Sequence, residues 1–414
     1  MYALIAMALA LILLIVLLHL KVKLGRSMLL SSFGLAILLG VTPGEFLQTV
    51  IQEWHDKPLT HTTGYLFISL TGLVMFVTVL GSSMNETGVT KRLAPALEGL
   101  FRSRRFALAV IPMIMGMLPT PGGIMLSAPM VRELGDNIGL ARKRQAAINF
   151  FFRHQWEPVW PLFPAVPLIQ GMFGISAFAL ISHNIVITLC GVLGGAFFLL
   201  LPGMPPKKRN NRSGDGFAGN FRNFLHAFWP IVLVAGLYAF FDITPAIGIL
   251  FVILVFLSFH KVPVNRWPRI FKSGIELDIA LLILGALLFK LNLEAGQAVG
   301  SVVGFLTDIN VPVYLLIFIL PFIVAFLTGL TMPTVAITFP FLVPFIGFGQ
   351  EAKIGLETLA FSGLICGLFI TPVHLCMALS SSYFKTPLTR IILLMIGPLI
   401  IIAAAGAAMA LFMG

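Results

Sequence analysis

The feature of this 414-residue chain that most restricts its fold is the recurrence of apolar runs long enough to cross a lipid bilayer. A helix needs ~20 apolar residues to cross ~30 Å of hydrocarbon. Ten apolar runs extend along the whole chain, of which the second is short for a full crossing: 2–20, 27–41, 64–83, 146–171, 176–201, 224–241, 244–260, 274–291, 355–382 and 389–412. Charged residues make up only 10% of the chain, too few to cover a soluble protein of this size. The sequence therefore predicts an all-α polytopic membrane protein.

Basic residues are concentrated on alternate connections between these runs. The chain carries 27 Lys and Arg against 16 Asp and Glu. If the runs cross in alternation, almost all basic residues fall on one face, which the positive-inside rule assigns to the cytoplasm. The positive charge is therefore explained by topology and does not indicate a nucleic-acid partner. We predict a multi-pass protein of the cell (inner) membrane with both termini on the outer, periplasmic side.

Two further apolar segments, 107–134 and 313–348, are interrupted at their centres by Pro, Gly and Thr. Each arm of the first is about 18 Å long at about 1.5 Å per residue, which is roughly half the depth of the hydrocarbon. We predict two re-entrant hairpins whose tips meet near the membrane midplane. Four fully spanning helices are the alternative, and charge counting does not separate the two, because both leave the loops on the same sides.

The segments repeat in two halves, 1–202 and 223–414, joined by a polar cytoplasmic linker at 203–222. Each half holds five spans, with a hairpin after the third, so the second half starts on the opposite side of the membrane. The sequence MLPTPGGIMLSAP at 117–129 is echoed by TGLTMPTVAITFP at 328–340. We predict an inverted repeat, an architecture typical of secondary transporters.

The hairpin tips are the first set of predicted binding residues. Unpaired helix-terminal N–H groups favour anions, and unwound carbonyls beside them suit Na⁺. The candidates in the tips are Thr120, Pro121, Gly122, Gly123 and Ser127 in the first, and Thr328, Gly329, Thr331 and Thr334 in the second. A coupling Na⁺ is predicted near Thr120, Gly122 and Thr331. The alternative is that these residues only kink ordinary helices.

The spans that follow the hairpins, 146–171 and 355–382, carry the second set. Arg153, His154 and Glu157 lie inside the first, where intramembrane charges indicate function. Glu157 is predicted to carry a proton or bind Na⁺, and Arg153 to meet a substrate carboxylate. In the other reading, Arg153 and Glu157 neutralise each other across one helical turn. The matching break in the second span adds Thr371 and His374.

The sequence indicates no cofactor, no resident metal and no enzyme. Its three cysteines lie in apolar segments without metal-ligand spacing. Motifs such as HExxH, a Walker loop or a Ser/His/Asp set do not occur, so direct ATP drive is not expected.

This pattern of inverted halves, tips and broken helices resembles the ion transporter superfamily, which includes dicarboxylate/sodium symporters, gluconate and citrate permeases, and the large membrane subunit of TRAP transporters. The segment FFRHQWEPVWPLFP and the chain length resemble most the uncharacterised DUF401 family. The resemblance implies an elevator mechanism, a homodimeric scaffold, and binding positions at Thr120, Gly122, Gly123, Thr331 and Thr334. The Ser-Asn-Thr tips of dicarboxylate symporters are replaced here by LPTPGG and TGLTMPT.

The first functional hypothesis is a secondary active transporter for a small organic anion, with a carboxylate favoured, coupled to Na⁺ or H⁺. A cation/proton antiporter and a carrier of lipid-linked anions are alternatives within the transporter class. A channel and a membrane enzyme are the alternatives from other classes. Besides the anionic solute, the predicted partners are membrane lipids and a second copy of the chain.

Overall fold

The computed structural model describes residues 2–89, 103–117, 124–202, 217–308 and 312–414, with isolated positions between 96 and 101, and contains helices and no strands over these ranges. Its helices are α1 (Tyr2–His19), α2 (Leu24–Leu39), α3 (Pro43–Asp56), α4 (Thr63–Glu86), α5 (Arg104–Gly116), α6 (Ile124–Asp136), α7 (Arg142–Arg153), α8 (Ala165–Phe173), α9 (Ala177–Gly195), α10 (Phe217–Phe241), α11 (Pro245–Phe259), α12 (Trp267–Lys272), α13 (Leu277–Ala295), α14 (Ala298–Asp308), α15 (Val313–Thr328), α16 (Thr331–Ile346), α17 (Ile354–Ile370), α18 (Leu375–Tyr383) and α19 (Leu388–Met413). The all-α prediction is confirmed.

Six segments of the described chain are long and apolar enough to cross a membrane: Tyr2–His19, Thr63–Met84, Ala177–Leu200, Phe217–Phe241, Ile354–Tyr383 and Leu388–Met413. Helices α2 and α3, bent by 111° at a short break, add a seventh if they form one span. The predicted spans 27–41 and 244–260 coincide with α2 and α11, which are short helices of 16 and 15 residues. The chain is a multi-pass membrane protein.

The two interrupted segments are helical on both sides of their central residues. The second, 313–348, consists of α15 and α16 with Gly329 and Leu330 between them. In the first, 107–134, helices α5 and α6 flank a connection whose residues 118–123 lie outside the described ranges. The two spans that follow are also broken, since α7 and α8 are separated by turns and α17 and α18 by four residues. The inverted relation of the two halves stays a prediction.

The helices pack in two groups. Helices α5 to α9 and α15 to α19 form one group, in which α15 lies along α17, α17 along α19, and α5 along α7. The other group contains α1, α2, α3, α4, α11 and α13, with the closest packing between α2 and α13. Helix α16 belongs to the first group, where it packs against α8 and α17, and it also packs against α13 of the second group.

A buried ion pair holds the second group together. Lys290 of α13 donates to Glu53 of α3 at 2.8 Å, and both side chains are almost fully buried. The second Glu53 oxygen accepts from the backbone N–H of Thr63 at the start of α4. Three helices therefore meet at one carboxylate, and the more exposed Lys57 and Glu294 extend the network toward the surface.

The hairpin arm α6 is tied to the broken span by polar contacts at its end. Asp136 accepts hydrogen bonds from Gln145 at 2.9 Å and from Arg142 at 3.0 Å. These contacts, that of Gln145 first, hold the pKa of Asp136 below its usual value. The connection from α6 to α7 is thereby fixed, and α7 starts in a defined position.

Candidate functional site

The first break lies directly after α7, which ends at Arg153. Prolines at 158, 161 and 164 follow, and each lacks the N–H that an uninterrupted helix needs. A series of turns leads to Pro164, and α8 begins at Ala165. His154 and Glu157 therefore lie on irregular backbone inside the protein.

The second break follows α17. Thr371 donates from its hydroxyl to the Phe326 carbonyl at 2.5 Å and accepts from the Val373 N–H at 3.3 Å. Pro372 excludes a continuous helix, and α18 begins at Leu375. The Thr371 side chain thereby fastens the break to the hairpin arm α15.

The tip of the second hairpin rests on this break. Gly329 has a φ of 66°, and a Cβ there would lie 2.9 Å from Val373 Cγ2 and 3.0 Å from the His374 nitrogen. Only glycine combines this left-handed conformation with so close an approach. The Gly329 carbonyl accepts a hydrogen bond of 2.6 Å from Nδ1 of His374.

The first hairpin meets the first break in a similar way. Arg153 Nη1 donates to the Met115 carbonyl at 2.7 Å, and Trp160 Nε1 donates to the Met117 carbonyl at 2.9 Å. Gly116, between the two, lies so close to the Arg153 carbonyl that a Cβ would overlap with it. The predicted tip residues Thr120, Pro121, Gly122 and Gly123 come directly afterwards and lie outside the described residues.

Two contacts join the first break to the second hairpin tip and to the second break. Thr331 of the second tip hydrogen bonds through its hydroxyl to Glu157 of the first break. His154 of the first break and His374 of the second face each other with 3.1 Å between their Nε2 atoms. The second Glu157 oxygen lies 4.0 Å from His154 Nε2. These four residues form the cross-half cluster, and its ionisable members are at most 7% exposed.

The predicted pairing of Arg153 with Glu157 across one helical turn does not occur in that form. Because α7 ends at Arg153, Glu157 is not one turn further along a helix. The two side chains still interact electrostatically, but Glu157 takes Thr331 and His154 as partners and Arg153 takes Met115.

The other threonines of the second tip bind the tip itself. Thr334 donates to the Leu330 carbonyl at 2.7 Å, and Thr328 donates to the Val324 carbonyl at 2.9 Å. Their hydroxyls lie 3.1 Å apart. The sequence places all three threonines in one tip, and the structure divides them: Thr328 and Thr334 stabilise the turn, whereas Thr331 reaches the other half.

Ser127 belongs to a neighbouring polar set that sequence analysis identified only in part. Its hydroxyl donates to Asn149 Oδ1 at 2.6 Å, and Asn149 Nδ2 lies 3.4 Å from Ser380 Oγ. All three are fully buried. Asn149 and Ser380 were missed as site residues, although a buried amide in a predicted span is a recognisable signal.

A second buried carboxyl was also missed. Glu357 in α17 is fully buried and accepts a hydrogen bond of 3.3 Å from Asn184 Nδ2. Within the described part of the chain, Glu357 Oε2 and Asn184 Oδ1 have no hydrogen-bond partner. The same amide nitrogen lies 3.4 Å from the Pro158 carbonyl, so this pair adjoins the first break.

One group of three side chains in the described ranges has the proximity of metal ligands. Atoms of His154, His374 and Cys376 lie within 4.8 Å of one another. However, the Arg153 guanidinium interacts electrostatically with Cys376, and a cation beside the sulfur opposes a divalent ion. The donor set therefore does not fit a resident metal.

The fold defines a class of protein. It is similar to the structure of the YdaH transporter from Alcanivorax borkumensis, which is described as having an unusual topology. The TM-score is 0.60 at 12% identity, with 87% of this chain and 88% of that chain covered. The chain therefore has the fold of a multi-pass membrane transporter.

The family follows from the sequence. Residues 4–413 match the model of DUF401, described as a protein of unknown function. The chain belongs to this family, as its resemblance in FFRHQWEPVWPLFP and length predicts. No curated protein matches the sequence.

Proposed function

We propose that this chain is a secondary active transporter that moves a small organic anion, a carboxylate in the first place, across the cytoplasmic membrane. Transport is coupled to Na⁺ or H⁺. The observation that carries the proposal is the contact between the first broken span and the second hairpin tip, through Glu157 and Thr331. Here a buried carboxylate is shared by the first break and the second hairpin tip. A coupled carrier needs such a group to bind its ion, whereas the packing of a hydrophobic core does not require one.

The surroundings of the cluster favour an anion. Helices α16 and α18 begin there, at Thr331 and Leu375, and neither receives a side-chain N-cap hydrogen bond. Their first-turn N–H groups and dipoles attract negative charge. Arg153 adds a guanidinium beside them. The glycine-bearing tip leaves the backbone close to any solute bound there.

An elevator mechanism agrees with the packing. The two hairpins and both broken spans fall in one helix group, together with α9 and α19, and the second group supplies a scaffold. In the proposed cycle the first group slides against the scaffold, and α16 against α13 is the contact that changes. A homodimer formed by the scaffold would fix it in the membrane.

The experiment is a thermal-shift screen of the detergent-purified protein with carboxylates, sugar acids and phosphate-bearing solutes, with and without Na⁺, at two pH values. A ligand that binds the folded state at about a hundredfold excess over Kd adds about 2.7 kcal/mol. We expect one anion class to stabilise the protein, more strongly with the coupling ion. Glu157→Gln should change this ion dependence, whereas Glu133→Gln, on the exposed face of α6, should not. Stabilisation by none of these solutes would contradict the proposal.

A cation/proton antiporter is the second candidate, and the Glu357–Asn184 pair favours it. Two buried oxygens without partners in the described residues are suited to a cation or a proton. Stabilisation by Na⁺ alone, without any anion, and its loss in Glu357→Gln would support this function over the first.

A further inference from the structure

The two histidines of the cross-half cluster have their tautomers fixed by backbone carbonyls. His154 Nδ1 lies 2.7 Å from the Phe150 carbonyl, and His374 Nδ1 lies 2.6 Å from the Gly329 carbonyl. A carbonyl oxygen can only accept, so both Nδ1 atoms carry hydrogen. In a neutral ring the hydrogen on Nδ1 leaves Nε2 bare.

The two Nε2 atoms are nevertheless 3.1 Å apart, within hydrogen-bond distance. Two neutral rings would direct lone pairs at each other there. One added proton removes the conflict, because one Nε2 then donates to the other. The geometry is that of an imidazolium bonded to an imidazole.

The ionisable side chains around the pair determine its net charge. Glu157 Oε1 is 4.0 Å from His154 Nε2, and Arg153 and Cys376 are the other ionisable side chains of the described chain that face the pair. The rings of Phe150 and Phe369 pack against His154 and exclude water. Because the formal charges of Arg153 and Glu157 cancel, an added proton leaves the cluster and Arg153 together with a net positive charge.

We infer that His154 and His374 bind one proton between their Nε2 atoms, and that this proton is the coupling ion of the anion transport proposed above, on which the coupling part of the inference rests. Binding of the proton attracts the anion and adds a hydrogen bond between the first break and the second. Losing it restores the facing lone pairs, so the two breaks separate and the attraction for the anion falls. Proton and anion therefore bind together and leave together.

The proton itself is tested by nitrogen-15 NMR of histidine-labelled protein in lipid nanodiscs, over about pH 5 to 8, where histidine ordinarily titrates. We expect one protonated and one bare Nε2 coupled through a shared hydrogen bond. The signal should disappear in both His154→Gln and His374→Gln. His183→Gln is the matched control, because His183 has the same Nδ1 contact to a carbonyl four residues earlier, and it should leave the signal unchanged.

Two results would overturn the proton site. One is a pair of neutral rings across that whole range, without a coupled signal. The other is a stoichiometric transition metal in elemental analysis that is lost in His154→Gln and that fills the space between the rings.

Coupling is tested separately in proteoliposomes loaded with a pH-sensitive dye, by adding each member of the carboxylate, sugar-acid and phosphate panel. We expect one class to drive proton entry, and both His→Gln variants to lower it to the rate of protein-free vesicles. Anion uptake that persists in these variants without proton movement would overturn the coupling role and leave the transport function standing. A coupled histidine signal without flux from any solute would instead contradict the transport function.

Discussion

His154 and His374 are 220 positions apart in the chain, yet their Nε2 atoms lie 3.1 Å from each other. Each ring is held by a carbonyl of a different segment, Phe150 of α7 and Gly329 of the second hairpin tip. Both halves of the chain therefore position the histidine pair. In the proposed mechanism, this arrangement links ion binding to movement of the hairpin.

Replacement of Glu157 by Gln should separate coupled from uncoupled transport. The variant keeps the size of the side chain and a hydrogen bond with Thr331, but it removes the negative charge beside the histidine pair. We expect uptake driven by a pH gradient to be abolished and anion exchange to be preserved. Both pH-driven uptake and anion exchange are measured in proteoliposomes. Unchanged pH-driven uptake would exclude a role for this carboxylate in coupling.

Gly329→Ala should disturb the site more than an alanine in the same backbone conformation elsewhere. Gly329 and Gly349 both have φ near 65°, but only Gly329 has atoms close to an added Cβ. The conformation alone costs about 1–2 kcal/mol, and the contact with His374 adds about 1–3 kcal/mol.

The comparison is made by thermal unfolding of Gly329→Ala and Gly349→Ala in the same lipid or detergent. We expect the larger loss in Gly329→Ala, together with loss of the coupled histidine signal in that variant alone. Equal losses and an intact signal in both would show that the tip does not rest on the second break.

Lys290→Ala should destabilise the scaffold strongly. It leaves Glu53 as a buried carboxylate without its main cation, which typically costs about 3–5 kcal/mol. Lys57→Ala removes a partly exposed partner of the same Glu53, worth about 0–1 kcal/mol. Unfolding midpoints of the two variants, measured side by side, should differ clearly, and similar midpoints would contradict the assignment of Lys290 as the central cation.

The predicted topology can be tested with single cysteines in a variant that lacks the three natural ones. Lys353 and Lys143 are exposed, and the charge pattern predicts the first outside and the second in the cytoplasm. A membrane-impermeant maleimide added to intact cells should label Lys353→Cys and should label Lys143→Cys only after lysis. The reverse pattern would invert the whole topology.

The sequence predicts the helices and their breaks well, because hydrophobic length and proline act locally. Pro158 and Pro372 mark the two breaks, and both are found where expected. The contacts between the breaks could not be predicted. Nothing local in the sequence shows that Thr331 reaches Glu157 or that His374 reaches His154, since these contacts depend on how the two halves pack.

Two other buried charged residues could have been recognised from the sequence. Glu357 lies within the predicted span 355–382. An ionisable residue inside the membrane indicates function, and this holds for Glu357 as it does for Glu157. Lys290 in the span 274–291 is a similar case. Its partner Glu53 is 237 positions away, and only the packing of α3 on α13 brings the pair together.

The most direct test of coupled transport is accumulation of the anion that stabilises the protein in the thermal-shift screen. Proteoliposomes would be given equal anion on both sides and an inward H⁺ or Na⁺ gradient. A coupled carrier is expected to take up the anion above equilibrium, and this uptake should stop when the ion gradient is collapsed. Entry only until the two sides are equal, whether or not a gradient is present, would identify a passive pore and contradict coupled transport.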